Sequence, residues 1–238
     1  MRPIRSVVVA LVGAALLVSA CASSRGTAKA LHPRAWLDVG FTQASYRFAM
    51  TANEGSYAGG IDPIADTLDA TVTVKDGEQK LTVQTRGVGG QYFARLTGTP
   101  LPDLEGKWFQ VDMTRVGRDG SLGISVGKDP TGIRALVAAV TSVQSRGGGT
   151  WRGIADLRKV TNWGPVTSGR IAQLGDAARL THFEAAIDAS GRLTSMRVWI
   201  PGGDVVTATY SDFGAKVPVT VPPGAQPLPD SLYPLLNL

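Results

Sequence analysis

The sequence predicts an α+β, mainly β domain: a curved antiparallel sheet with a few helices on its concave face. Three observations carry that expectation. Between Ser45 and Tyr210, apolar and polar residues alternate at period two in one stretch after another. Glycine, at 29 residues, and short turn sequences punctuate those stretches. One segment, Asp129 to Val143, switches to helical spacing. A sheet of roughly nine or ten strands is wider than one helix and one or two shorter ones can cover, so it must curl.

The chain opens on a leader. Arg2 and Arg5 precede an apolar core, Val7 to Val18, broken only by Gly13, and Ser19 and Ala20 supply small residues ahead of Cys21. This is the layout of a secretion signal, and its core is short for a membrane span of ~20 residues. The expected organisation is a signal peptide over 1–20, Cys21 and a tether over 21–40, and a single domain over 41–238. Leaving out the leader takes the formal charge from +5 to +3, because Arg2 and Arg5 go with it. Basic residues are scattered, which excludes a nucleic-acid footprint. Cys21 is the one cysteine in 238 residues, so packing and not disulfides must hold the fold.

Leu31 to Val39 reads as a short helix or edge segment. In Ser45 to Ala52, Tyr46, Phe48, Met50 and Ala52 share one face of a first strand. Asn53 to Asp66 reads as a loop. Leu68, Ala70, Val72 and Val74 alternate with polar residues; Asp76-Gly77 signals a hairpin turn, and Leu81 and Val83 point inward on the return strand. Gly87 to Gly90 turns into the strand Gln91 to Leu96, and Lys107 to Asp112 makes another. Asp129 and Pro130 start the helix, on which Ile133, Leu136, Val137 and Val140 form the buried side, and Gly147 to Gly149 ends it. Thr150 to Leu157 returns to strand. A short helix is expected near Ile171 to Ala178, then a hairpin of His182 to Asp188 and Leu193 to Ile200, with Met196, Val198 and Ile200 aligned. Val205 to Tyr210 is a further strand, Val217 to Val221 an edge strand, and the tail from Pro227 to Leu238 a short docked helix.

Reactive constellations are few. Gly123-Ile124-Ser125-Val126-Gly127 matches a nucleophile elbow, with Asp156 and His182 following in hydrolase order. An elbow needs a strand before the serine and a helix directly after it, and neither is read here, so Ser125 is expected in a loop. The chain is read as a non-enzyme, with a serine hydrolase using Ser125 as the minor alternative. Two histidines, His32 and His182, do not make a metal site, and no cofactor fingerprint is found. Asp156 and Asp188 are accounted for by turn chemistry, and His182 with Glu184 by a solvated outer face. What remains is apolar geometry: a curled sheet under an incomplete helical lid leaves a hollow suited to hydrophobic ligands, or else the same side chains fill a dry core. Phe48, Met50, Val72, Val74, Leu81 and Val83 are the candidate lining from the first half. Leu136, Val137, Val140, Met196, Val198 and Ile200 are those from the second.

Val18-Ser19-Ala20-Cys21 resembles a bacterial lipobox, in which the cysteine is acylated and becomes the first residue of the mature chain. With it go Gly106-Lys107-Trp108, Asp129-Pro130, Trp151-Arg152-Gly153 with Asp156-Leu157, the Ile187-Asp188 to Gly191-Arg192-Leu193 hairpin, and Tyr210-Ser211-Asp212-Phe213-Gly214 before Val217-Pro218-Val219. In this order they resemble the LppX/LprG-type actinobacterial lipoproteins, whose domain is similar to the LolA-like half-barrel lipid carriers. The resemblance implies a U-shaped sheet with helices on its concave side and a lipid or lipoglycan held between them. It also implies attachment through acyl chains of the palmitate kind to the extracytoplasmic face of the cell membrane, and an envelope transporter as partner. The non-enzymatic alternative is a surface sensor or scaffold with a filled core. Mass spectrometry of the mature N-terminus is expected to show Cys21 first and diacylated, since two acyl chains at ~0.8 kcal/mol per buried methylene anchor stably; an unmodified Cys21, or cleavage elsewhere, contradicts this.

Overall fold

The computed structural model describes residues 33–233, apart from Gln43, Glu54, Pro100, 117–128, Asn162, Pro165 and Thr167. Cys21, His32 and Ser125 therefore lie outside the described residues. The chain divides into Met1–Ala30 and a compact unit, Leu31–Leu238.

That unit is built on one open, curved, mixed sheet of 12 strands. The first six form an antiparallel meander: β1 (Tyr46–Ala52), β2 (Gly55–Asp62), β3 (Thr67–Asp76), β4 (Gln79–Val88), β5 (Gln91–Thr97) and β6 (Trp108–Val111). The second half adds β7 (Val140–Gly147), β8 (Thr150–Ala155), β9 (Thr181–Ile187), β10 (Leu193–Trp199) and β11 (Val205–Ser211). Strand β11 pairs with β1 and joins the halves, while β12 (Gln226–Pro227) adds a short parallel pairing to β6. Across the sheet the order is β12-β6-β5-β4-β3-β2-β1-β11-β10-β9-β8-β7.

The predicted alternation is visible in burial. Tyr46, Phe48 and Met50 are buried while Arg47, Ala49 and Thr51 are exposed. The buried positions of β1–β3 and β8–β11 form one hydrophobic cluster with α1 (Pro33–Gly40), α2 (Ile133–Ala138) and α3 (Ser168–Leu174), so the helices lie on this inner face. At the other end, Ala94, Phe109 and Val111 make a second cluster with Leu104, Leu228 and Tyr233. Between the two, β4 contributes Val83 and Thr85, both buried and belonging to neither cluster.

Several expectations are corrected. Twelve strands replace nine or ten. The loop expected over 53–66 contains β2, which the sequence hides behind small residues. Its Gly59 is needed, because a Cβ there would run into the Asp69 carbonyl and the Ala70 backbone of β3. The helix expected from Asp129 to Val143 is shorter at both ends: it runs from Ile133 to Ala138, with Asp129 and Pro130 in the turn before it, and Val140 opens β7. Val140, Thr141 and Val143 are β-branched and favour strand. The helical period ran on because Val140, at the strand's start, still packs against the same core. Gly147-Gly148-Gly149, all at positive φ, consequently turn the β7–β8 hairpin and do not end a helix. The turn expected over Gly87 to Gly90 is only Gly89-Gly90, leaving Gly87 inside β4.

Val217 to Val221 is not a strand. Pro218, Pro222 and Pro223 lack the N–H a ladder needs, and the segment lies across the outer face instead. Val217 approaches Gly60, where a Cβ would sit 3.1 Å from Val217 Cγ1, and its carbonyl accepts a bond from Thr67 Oγ1 at 3.3 Å. Of the helix expected in the tail, the described residues contain a 3-10 turn, Asp230–Leu232, and a helical Tyr233; residues 234–238 lie outside them. The stretch Leu31 to Val39, read as a short helix or edge segment, contains α1, whose Trp36 is fully buried against Trp151.

Candidate functional site

A hollow of about 230 Å³ opens on the inner face, at the strand ends near the β2–β3 turn. Its floor is one cross-strand row: Tyr46 on β1 lies opposite Ile61, Ile61 opposite Leu68, Leu68 opposite Gly87, and Gly87 opposite Tyr92. Five strands at ~4.8 Å spacing make this a slot some 19 Å long. Gly87 is the one position in the row without a side chain, and the slot passes over it. A Cβ added there would meet Tyr92 Cε1 at 3.2 Å and Leu68 Cβ at 3.4 Å, so the Tyr92 ring and Leu68 already close in on this position. Phe41 and Pro130 form the far wall, and Asp62, Asp66 and Thr67 form a polar rim. Ile64, at 76% exposure, stands in the turn beside that rim.

The wall is fixed by a buried polar network. Tyr57 Oη donates to the Pro130 carbonyl at 3.3 Å, and Gly164 N donates to the Thr131 carbonyl at 3.2 Å. Tyr46 is hydrogen-bonded to the Thr131 hydroxyl. Burial pushes the phenols of Tyr46, Tyr57 and Tyr210 well above their ordinary range, so all three remain neutral. They act as wall and hydrogen-bonding groups and not as bases. Asp129 caps α2 as expected, accepting from Arg134 N at 2.9 Å and Ala135 N at 3.1 Å through Oδ2. Its carboxyl is raised because burial disfavours the charge more than those bonds and Arg134 favour it.

None of the twelve candidate lining residues borders this slot. Phe48, Met50, Val83, Leu136, Val137, Met196, Val198 and Ile200 are buried; Val72, Leu81 and Val140 are half-buried; Val74 is 45% exposed near the turn of the β3–β4 hairpin. The face was legible, since Phe48 and Met50 share it with Tyr46. The position along the strands was not, because the deciding residue, Gly87, has no side chain and read as part of a turn.

The hydrolase-order residues are structural where they are described. Asp156 caps a 3-10 turn through Arg158 N at 3.2 Å and pairs with the Arg158 guanidinium at 2.9 Å. Asp188 accepts from Ser190 N and Arg192 N, each at 2.9 Å, in the β9–β10 hairpin. His182 is exposed on the outer face, and its neighbour Glu184 pairs with Arg152. Among the described residues no three potential ligands gather for a metal, and no helix is long and apolar enough to cross a membrane. A cleft of about 500 Å³ beside the C-terminal turn is closed on one side by Arg115, which stacks on Tyr233 at 3.7 Å and pairs with Asp230 at 2.6 Å.

An open sheet with one helix-covered apolar face thus carries a slot lined by aromatic and aliphatic side chains. Among solved structures the chain is similar to the lipoprotein LppX of Mycobacterium tuberculosis, at 16% identity and a TM-score of 0.45 over 79% of this chain and 95% of that one. A LolA superfamily protein from Nitrosomonas europaea is similar at 11% identity and a TM-score of 0.24, over 84% of this chain and 94% of that one. No protein-family model and no curated protein matches.

The raised carboxyl of Asp129 gives a pH signature. The folded chain holds this proton to higher pH than the unfolded chain does. The stability tied to it is therefore full below the ordinary carboxylate value and is lost as pH rises through the raised one. Asp129→Asn keeps the capping oxygen without the charge, so the variant is expected to gain on the wild type as pH rises from about 4 to 7, in urea titrations at stepped pH. Asp129→Ala is expected to lose about 1 kcal/mol with the cap. An Asn variant that instead falls behind as pH rises contradicts the assignment.

Proposed function

We propose that the protein is an envelope lipoprotein, held by acylated Cys21 at the extracytoplasmic face of the cell membrane, that binds a lipid or lipoglycan and carries or presents it to an envelope partner. The observation that carries this reading is the hollow of about 230 Å³ along the row from Tyr46 to Tyr92, where Gly87 contributes no side chain. A slot of this kind suits an acyl chain, which needs no reactive group, only apolar area removed from water at roughly 25 cal/mol per Å². The rim of Asp62, Asp66 and Thr67 leaves a wet place for a polar head. At about 230 Å³ the slot is below the ~300–1,000 Å³ usual for ligand pockets. Entry of a whole chain therefore requires the Pro130 wall and α2 to lift from the sheet.

The same number favours one competitor: a sensor or scaffold whose inner face is simply filled. Trp36, Trp163, Phe183 and Met50 are essentially inaccessible, as a permanent core would be. The two readings part on one experiment. The secreted Cys21→Ala protein, made in a host that offers membrane lipids, is expected to co-purify with lipid visible by native mass spectrometry. Gly87→Leu, which fills the gap in the row, is expected to lose most of that lipid while remaining folded by circular dichroism. A lipid-free wild type favours the filled-core reading, and equal loading of the Gly87→Leu variant contradicts the row as the place of the lipid.

A further inference from the structure

On the face opposite the slot, the four strands β7 to β10 form a trough of about 590 Å³. Two cross-strand rows make its surface. Ser142, Ile154, His182 and Trp199 lie opposite one another in the first, and Gln144, Arg152, Glu184 and Arg197 in the second. Ile154 and Trp199 are half-buried and form an apolar floor, while the charged groups stand around it. Three guanidinium groups, Arg146, Arg152 and Arg197, face one carboxylate. Glu184 is committed to Arg152, and Arg197 lies over the Trp199 ring at 5.2 Å. Among the described residues neither Arg146 nor Arg197 has a carboxylate partner. This is a cationic, aromatic-floored surface that the slot and its lid do not use.

We propose that this trough docks an acidic, extended segment of a partner protein. The charge excess calls for an anionic occupant, and planar guanidinium groups flanking an aromatic floor suit carboxylates interleaved with apolar side chains. The shape favours a peptide over a bilayer. Ile154 and Trp199 lie at the bottom of a depression, where they cannot enter a membrane but can receive side chains. Three strand spacings of ~4.8 Å give a width near 14 Å, which four or five extended residues at ~3.3 Å each span. Pairing along the free edge of β7 is not part of the proposal. That strand shifts register at Val140/Ser142 and at Ser145/Gly147, and such bulges with an exposed arginine blunt an edge against added strands. Because trough and slot lie on opposite faces of one sheet, a partner bound here leaves the slot's mouth open. The proposal is independent of what the slot holds.

The probe is a fluorescein-labelled decapeptide alternating glutamate and leucine, titrated against the Cys21→Ala protein by anisotropy. Lysine–leucine and serine–leucine peptides serve as controls, and phosphatidylglycerol vesicles are tested by flotation. The acidic peptide is expected to bind, and to weaken about tenfold or more when Arg146→Glu or Arg152→Glu reverses a charge at the trough. Arg146 is exposed and has no ion-pair partner among the described residues, so Arg146→Glu tests the site without breaking the Arg152–Glu184 pair. Binding is also expected to fall steeply between about 0.05 and 0.5 M salt. No preference for the acidic peptide, binding indifferent to Arg146→Glu, or charge-dependent binding to vesicles in place of the peptide overturns the proposal.

Discussion

A twelve-stranded sheet with one apolar face presents more surface than its short helices cover, and the rest of the structure follows from how that surplus is handled. Over β1–β3 and β8–β11 the helices suffice, and the interior is packed around Trp36, Trp163 and Phe183. Over β5 and β6 the chain's own C-terminal segment does the work, with Leu228 and Tyr233 seated on Phe109 and Val111. The slot starts on the margin of the first cluster, at Tyr46, Ile61 and Leu68, and crosses Gly87 of β4, which neither cluster includes, to Tyr92 of β5. Its position is thus a product of topology and a single missing side chain, and no cluster of reactive groups is needed to define it.

The wall of the slot is held by aromatic packing with polar ends. Phe41 meets Tyr46 and Tyr210 edge to face, each at 4.8 Å, and Tyr57 packs on Phe48 at 4.7 Å. Edge-to-face pairs contribute about 0.5–1.5 kcal/mol each beyond their buried area. Tyr46 and Tyr57 reach up to the Asp129–Thr131 approach to α2, where Tyr57 bonds the Pro130 carbonyl at 3.3 Å. The helix behind that approach is held by burial, with Ile133, Leu136 and Val137 fully enclosed in the main cluster.

Sequence patterning revealed the sheet because burial and period two are the same fact seen twice: every strand with alternating Val, Phe, Met or Tyr was legible. Strand β2 was not, because Gly55, Gly59 and Gly60 give up side chains so that neighbouring backbones can approach. The end of α2 was misplaced because Val140 belongs to the same core whether it closes a helix or opens a strand. The site was half legible. Its face could be read from Phe48 and Met50, but its place depended on which residues of five strands stand opposite one another. Register of that kind is set by turn lengths and pairing across the sheet, and Gly87 carries no chemistry that would draw attention to it.

The central claim is that an apolar chain lies in the Tyr46–Tyr92 row under the Pro130 wall. Photolabelling tests it most directly: a diazirine-bearing fatty acyl phospholipid is loaded into the Cys21→Ala protein, irradiated, and its adducts located by peptide mass spectrometry. The account predicts labels on the row and its wall, at Tyr46, Ile61, Leu68, Tyr92 and Pro130. Labels confined to Ile154 and Trp199 on the opposite face, or spread evenly over exposed side chains, would contradict it.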